Sequence, residues 1–169
     1  MKGLKLVRVQ AARDIFLTAR LAEGIWSEHY EGMFEPGQIA YMLTNFLSEA
    51  AISRQILSGV VYKLAYFEDE LVGYYAIERQ KGRMLLREIY LQKPYRGHGL
   101  ARAMLGDILA QSKGLDELYL YVNKQNADSI AAYERMGFTV TGEQRTNIGA
   151  GYHIEEYLMR RPLGKGEPT

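Results

Sequence analysis

Apolar positions along this chain recur with two spacings, one typical of amphipathic helices and one typical of strands. Apolar residues at every third or fourth position predict helices over residues 11–28, 36–46, 52–57, 100–112 and 126–136. Alternating or continuously apolar runs predict strands over residues 4–9, 60–67, 71–78, 84–91, 118–122, 138–146 and 153–159. This order of elements predicts an α/β fold in which one mixed sheet is covered by helices on both faces.

The composition is ordinary for a globular protein and excludes several kinds of site. The chain has 169 residues, which predicts a single domain over 1–163 followed by a frayed tail over 164–169. The absence of cysteine excludes disulfides, thiolate metal sites and a cysteine nucleophile. A net charge of +1 gives no support for nucleic-acid binding. The lack of a long apolar run or a signal peptide predicts no membrane association and a cytoplasmic location.

The most informative segment is the loop over 96–101, with the sequence Arg-Gly-His-Gly-Leu-Ala, which joins an apolar strand to an amphipathic helix. Backbone N–H groups at such a helix N-terminus, together with the helix dipole, favour an anion such as a phosphate. A dinucleotide-binding fingerprint is not met, because Arg102 occupies the position of its third glycine. The Gly-Lys-Ser/Thr ending of a P-loop is absent as well. Gly97 and Gly99 could otherwise be simple turn residues.

This loop resembles the pyrophosphate-binding motif of the GCN5-related N-acetyltransferase (GNAT) superfamily, and residues 123–138 resemble its second motif at Asn126, Tyr133 and the closing Gly137-Phe138. The resemblance implies a mostly antiparallel mixed sheet and an acyltransferase that uses acetyl-CoA as co-substrate without a metal. It further implies that the following residues bind the cofactor: Ile89, Tyr90, Leu91, Arg96, Gly97, His98, Gly99, Leu100, Ala101, Arg102 and Asn126. In the superfamily a backbone N–H on a splayed strand binds the acetyl carbonyl, and Leu91 matches that position.

The same resemblance implies that Tyr133 protonates the departing CoA sulfur. Glu88, on the strand before the loop, is the candidate to assist at the acceptor amine. Simpler interpretations exist for each residue. Tyr133 has the spacing of a core tyrosine, and Asn126 is a good helix N-cap. Glu88 could be a strand-face carboxylate that pairs with Arg87 or with an arginine on a neighbouring strand.

Aromatic and acidic residues of the first helix and the last strand predict a cationic acceptor, because ring faces and carboxylates attract ammonium groups. The candidate substrate residues are Trp26, His29, Tyr30 and Glu155. Trp26 could instead belong to the core, and the last-strand glutamates could be solvated. The three histidines have no metal-ligand spacing.

The diffuse likeness to bacterial polyamine-type acetyltransferases makes a small cationic amine, such as a polyamine, the first candidate acceptor. A protein or peptide N-terminus or a lysine is the alternative. A non-catalytic acyl-CoA sensor is the rival of another class, and a homodimer is compatible with the superfamily.

Overall fold

The computed structural model describes residues 1–164. Within these residues the chain forms five α-helices: α1 (Ala12–His29), α2 (Pro36–Phe46), α3 (Glu49–Leu57), α4 (Leu100–Gln111) and α5 (Ala127–Arg135). It forms seven strands: β1 (Leu4–Arg8), β2 (Val61–Phe67), β3 (Glu70–Arg79), β4 (Arg83–Leu91), β5 (Glu117–Asn123), β6 (Thr139–Gly149) and β7 (Tyr152–Pro162). The predicted types and order of elements, and the predicted fold class, are confirmed.

The seven strands form one sheet in the order β1-β2-β3-β4-β5-β7-β6. Neighbouring strands are antiparallel except β4 and β5, which run parallel. This parallel pairing is short, because it joins only residues 83–85 of β4 to residues 117–119 of β5. Beyond that point the two strands separate, and an opening lies between their carboxyl ends.

A bulge in β4 accompanies this separation. Ala76 of β3 pairs with Glu88, but the next residue, Ile77, pairs with Leu86, so Arg87 is left as the extra residue on β4. A bulge bends its strand and increases the local twist. The bulge also shifts by one residue the alternation of β4 side chains between the two faces of the sheet. As a result, Glu88 lies on the same sheet face as Ala76. The sequence pattern of β4 alone does not reveal this change of face.

Helices cover both faces of the sheet. One core layer joins α1, α2 and α3 to the sheet through Ile25, Trp26, Met42, Ile52, Tyr62 and Tyr74. The other layer joins α4 to the opposite face through Leu100, Met104, Leu105, Ile108, Leu118 and Met159, and Ile130, Tyr133 and Met136 of α5 pack against it. Burial of these apolar surfaces is the main force that holds the helices on the sheet.

Some element boundaries differ from the sequence prediction for local reasons. Helix α3 begins at Glu49, three residues before its predicted start, because the Ser48 hydroxyl accepts a hydrogen bond from the backbone N–H of Ala51. Strands β6 and β7 continue further into their connecting turn than the apolar pattern indicates. Most of the predicted frayed tail, residues 165–169, lies outside the described residues. Within residues 1–164, no helix is long and apolar enough to cross a membrane.

At Gly73 the backbones of β3 and β4 lie so close together that there is no room for a side chain. A Cβ at Gly73 would overlap the Tyr90 carbonyl oxygen, so we expect Gly73→Ala to lower the free energy of unfolding by about 1–3 kcal/mol. Urea unfolding measures this change. Gly106→Ala is the control, because Gly106 lies within α4 and its added Cβ meets open space. There we expect equal stability or a gain of up to about 1 kcal/mol. A Gly73 variant as stable as the Gly106 variant would contradict the expectation.

Candidate active site

A cavity of about 480 Å³ lies where the end of β4 meets the N-terminus of α4 and one side of α5. Its wall is formed by three groups of residues from these elements and the end of α1: His29, Ile89, Tyr90 and Leu91; Arg96, Gly97, Gly99, Ala101 and Arg102; and Asp128, Ser129, Ala132, Tyr133, Arg135 and Met136. Eight of the eleven predicted cofactor residues are therefore brought together in one place, and the predicted acid Tyr133 lies beside them.

The loop before α4 has the shape of an anion-binding turn. Gly97 and Gly99 have φ values of +78° and +82°, a conformation that side chains other than glycine rarely adopt, and Gly99 is the N-cap of α4. Hydrogen bonds to backbone carbonyls hold the side chains of Arg96 and Arg102 at this loop. The Arg96 Nε donates to the Leu91 carbonyl over 2.9 Å, and the Arg102 Nη2 donates to the Arg135 carbonyl over 3.2 Å. The loop thus combines backbone donors, a helix N-terminus and two fixed positive charges.

The backbone at the end of β4 directs donors toward the opening. The N–H of Gln92 donates to the Val72 carbonyl, which fixes the side of β4 that faces β3. Because N–H groups alternate between the two edges of a strand, those of Ile89 and Leu91 point away from β3. That direction leads to β5, which pairs with β4 only as far as Leu85. Two backbone donors therefore face the opening rather than a neighbouring strand.

Tyr133 reaches the cavity from α5. Its ring packs edge-on against Phe138, and burial raises the pKa of its hydroxyl above the usual value, with Tyr30 and Glu88 raising it further. The phenol is therefore protonated throughout the neutral range and can donate a proton. The ring of Tyr133 packs against the core, as the spacing of apolar residues in the sequence indicated, but the side chain also lines the cavity.

Glu88 lies on the face of the sheet that carries α1. Burial raises the pKa of its carboxyl to about 8, although the charge of Arg87 and the Tyr74 hydroxyl act in the opposite direction. Its Oε2 is shielded from solvent and has no hydrogen-bond partner in the described part of the chain. The alternative pairing with Arg87 does not occur, because Arg87 forms its ion pair with Glu78 at 3.2 Å. Glu88 is thus a half-buried residue with one shielded carboxyl oxygen that lacks a donor among the described residues.

Aromatic side chains from α1 and the sheet surround this carboxyl. The Tyr30 and Tyr90 hydroxyls are 2.6 Å apart, and the Trp26 Nε1 donates to the Tyr74 hydroxyl over 3.0 Å. Trp26 is 7% exposed and belongs to the core, so the structure places this predicted substrate residue behind the cavity rather than on its wall. Tyr30 is equally buried and supports Tyr90, which does line the cavity.

His29 and Asn126 form a hydrogen bond between the end of α1 and the start of α5. Asn126 Oδ1 accepts the Ser129 backbone N–H and caps α5, so its Nδ2 is the atom that donates to His29 Nε2, over 2.8 Å. Burial lowers the pKa of His29, and Arg96 lowers it further, which favours a neutral ring. His29 lines the cavity, whereas Asn126 lines an adjacent depression, and both ends of its amide are engaged within the protein.

Three other predicted residues point elsewhere. The His98 side chain is exposed and lines a separate depression beside the β2–β3 turn. Leu100 is buried in the core, so only its backbone can face a ligand. Glu155 is 56% exposed and interacts with Arg145 and Lys124 on the far face of the sheet. Within residues 1–164, no three acidic or histidine side chains form a group that could hold a metal ion.

The structure directs attention to Glu156 in place of its neighbour. Successive strand residues face opposite sides, and Glu156 shares its face with Ile154, which packs on the α1–α3 layer. In the sequence, the apolar residue Ile154 two positions before Glu156 was the signal that Glu156 faces the helices. This signal is weak because Glu155 and Glu156 are adjacent, and the pattern alone does not show which of them faces the helices.

Comparison with known proteins gives a consistent result. A family model described as an acetyltransferase (GNAT) domain matches residues 29–153. The 5-NmdU N-acetyltransferase of Pseudomonas phage PaMx11 is 38% identical over 101 residues, which cover 58% of this chain and 67% of that protein. The spermine/spermidine N(1)-acetyltransferase of Bacillus subtilis (strain 168) is 30% identical over 89 residues, 46% of this chain and 59% of the relative.

Solved structures share the fold over nearly the whole chain. The PaiA N-acetyltransferase from Thermoplasma acidophilum, determined in complex with coenzyme A, superimposes with a TM-score of 0.77. The two sequences are 18% identical, and the alignment covers 94% of this chain and 99% of that one. This likeness concerns the fold.

The raised pKa of Glu88 predicts a pH-dependent stability. Between about pH 4.5 and pH 8, the folded protein retains a proton at Glu88 that the unfolded chain releases, so this group's contribution to stability falls as pH rises. We expect the free energy of unfolding of the wild type, minus that of Glu88→Gln, to decrease over this range. The slope is limited to about 1.4 kcal/mol per pH unit.

Urea unfolding of both proteins at several pH values measures this difference. Glu70→Gln, which removes an exposed carboxylate from the same sheet, controls for the loss of one negative charge. A difference between wild type and Glu88→Gln that stays constant with pH would contradict the burial of Glu88.

Proposed function

The chain belongs to the GNAT acetyltransferase family and is an N-acetyltransferase, and we propose that it transfers the acetyl group of acetyl-CoA directly to a small cationic primary amine such as a polyamine. We further propose that residues 1–163 act as one catalytic domain. The observation that carries the proposal is the opening between β4 and β5, joined to the glycine loop at the N-terminus of α4.

The residues of this opening fit acetyl-CoA by their chemistry. The positive-φ glycines and the α4 N-terminus suit a pyrophosphate, and Arg96 and Arg102 supply positive charge beside it. The backbone donors of Ile89 and Leu91 can pair with the amide and carbonyl groups of an extended cofactor arm. When bound, acetyl-CoA supplies the activated thioester. The backbone of β4, with Leu91 as the proposed donor, then stabilises negative charge on its carbonyl oxygen.

Glu88 prepares the amine in this proposal. An amine arrives as an ammonium ion, and a carboxylate whose pKa is raised by burial is a better proton acceptor than an exposed one. Glu88 in its ionised form takes one proton, directly or through water, and the neutral nitrogen attacks the thioester carbon. The C–N bond forms and the C–S bond breaks. Tyr133 donates its proton to the departing sulfur and regains one from the second N–H of the amine. The transfer is direct and forms no acyl-enzyme, which agrees with the absence of cysteine from the chain.

The acceptor class rests on charge and on the relatives. The Glu88 carboxyl, which is an anion once it has lost its proton, lies near the Tyr74 and Tyr90 hydroxyls, a combination that favours cations. The Bacillus relative is named for spermine and spermidine, and the phage relative for 5-NmdU. A short cationic amine agrees both with the name of the Bacillus relative and with the carboxyl of Glu88. A peptide amine remains the alternative acceptor.

The glycine loop yields a test of cofactor binding. We expect Gly99→Glu to abolish the binding of CoA in isothermal titration, because it places a carboxylate at the proposed pyrophosphate position. Gly114→Glu is the matched control. Its φ of +84° resembles the +82° of Gly99, so the backbone strain is similar, but its added side chain meets open space in the turn after α4. Loss of binding in both variants, or in neither, would contradict the assignment of the loop.

The second test concerns turnover. We expect the protein to release CoA from acetyl-CoA in the presence of spermidine or spermine, and Tyr133→Phe to lower kcat by about 100-fold while the binding of CoA persists. Thiol release measures the rate, and titration calorimetry measures the binding. Tyr66→Phe, on β2, is the control for the removal of a tyrosine hydroxyl from the same protein.

Other outcomes separate the alternatives. Turnover with lysine peptides or free peptide N-termini, but with no polyamine, would replace the proposed acceptor class. Binding of CoA without turnover on any amine would favour the acyl-CoA sensor. Full activity of Tyr133→Phe would remove Tyr133 from the role of acid.

A further inference from the structure

The two neighbouring glutamates of β7 have opposite environments. Glu155 is exposed and lies near two cations, at 3.5 Å from Arg145 and 3.8 Å from Lys124. Glu156 is half-buried, and its Oε1 accepts hydrogen bonds from two neutral groups, the Gln144 amide and the Thr146 hydroxyl, each at 3.3 Å. Within residues 1–164, no lysine, arginine or histidine forms an ion pair with Glu156. Burial raises the pKa of this carboxyl, which reflects the cost of keeping its charge uncompensated.

Glu156 faces the same side of the sheet as Glu88, across the opening. It pairs with Asn123 of β5, and two residues earlier on that strand Tyr121 lies on the same face, 38% exposed. Burial raises the pKa of the Tyr30 hydroxyl, and the charges of Glu88 on β4 and Glu156 on β7 raise it further. From one side of the opening to the other, this face carries a carboxyl, an aromatic ring and a second carboxyl.

An independent observation indicates that a ligand group is missing from this face. The Glu88 Oε2 is buried and has no hydrogen-bond partner within the described residues. A buried acceptor without a donor is unfavourable unless a bound group supplies one. An ammonium group at Glu88 satisfies this atom. A ligand that extends from there past Tyr121 brings its far end toward Glu156.

We propose that Glu156 binds a second cationic group of the acceptor, so that the acceptor carries two amines held by two carboxyls. This inference rests on the proposed function and divides the acceptor site into two parts. Glu88 contacts the amine that reacts, and Glu156, oriented by Gln144 and Thr146, contacts the amine that does not. Tyr121 borders the chain between them. Glu156 is thus a specificity-determining residue and takes no part in the transfer itself.

Acceptors of matched length test this division. Putrescine carries two amines, n-butylamine carries one, and γ-aminobutyrate carries a carboxylate in place of the second amine. We expect the wild type to have a KM for putrescine about tenfold below that for n-butylamine, the effect of one partly buried charge-assisted hydrogen bond. Glu156→Gln should raise the KM for putrescine by about tenfold, leave kcat within a factor of about two and leave the KM for n-butylamine unchanged.

Two further variants sharpen the result. Glu143→Gln, on the opposite face and paired with Lys124 at 2.8 Å, is the control for the loss of a carboxylate from the same hairpin and should leave both KM values unchanged. Glu156→Lys should reverse the preference, so that γ-aminobutyrate becomes a better acceptor than putrescine.

The possible results distinguish this inference from the proposed function. Equal KM values for putrescine and n-butylamine in the wild type would overturn the second subsite and leave the acetyltransferase activity standing. An equal effect of Glu156→Gln on both amines would overturn it as well. Absence of turnover with every amine would overturn both the subsite and the proposed function.

Discussion

The separation of β4 from β5 is the constraint on which the rest of this structure depends. A parallel pair in the middle of a sheet normally hydrogen-bonds along its whole length, but here the pairing ends at Leu85, and the bulge at Arg87 bends β4 away. Backbone donors that would have joined the two strands are left facing an opening. Side chains from both faces of the sheet can meet there. Tyr133 comes from the α5 face and Glu88 from the α1 face, which no continuous sheet would permit.

The same opening explains the electrostatics of the site. Glu88 lies among Tyr30, Tyr74 and Tyr90, and burial raises the pKa of each of these four groups. Phenols remain neutral under these conditions, so they surround the carboxyl with polar groups that carry no compensating charge. Among the described residues, the positive side chains that line the cavity are Arg96 of the loop, Arg102 of α4 and Arg135 of α5. Anionic and cationic ligand groups are thereby directed to different ends of the site.

Local patterns in the sequence predicted most of the fold, and most of the residues that they assigned to the cofactor line one cavity. Gly97 and Gly99 form the turn that their position before a helix indicated, and Tyr133 lies where the second motif implied. The acceptor side was less predictable, because it depends on strand register. The bulge at Arg87 sets the face of Glu88, and pairing with β5 decides that Glu156, rather than Glu155, faces the helices. Neither bulges nor pairing partners can be read from periodicity within one strand.

The hairpin of β6 and β7 occupies the edge of the sheet and joins the remainder through β5. The family match runs from residue 29 to residue 153, so it includes β4, the glycine loop and α5 but ends before Glu156. Substitutions on the α1-facing side of this hairpin leave the strands and helices around the opening in place. In the proposed arrangement, a change of a few side chains at this edge of the sheet alters the acceptor site and leaves the residues that would hold the acyl donor unchanged.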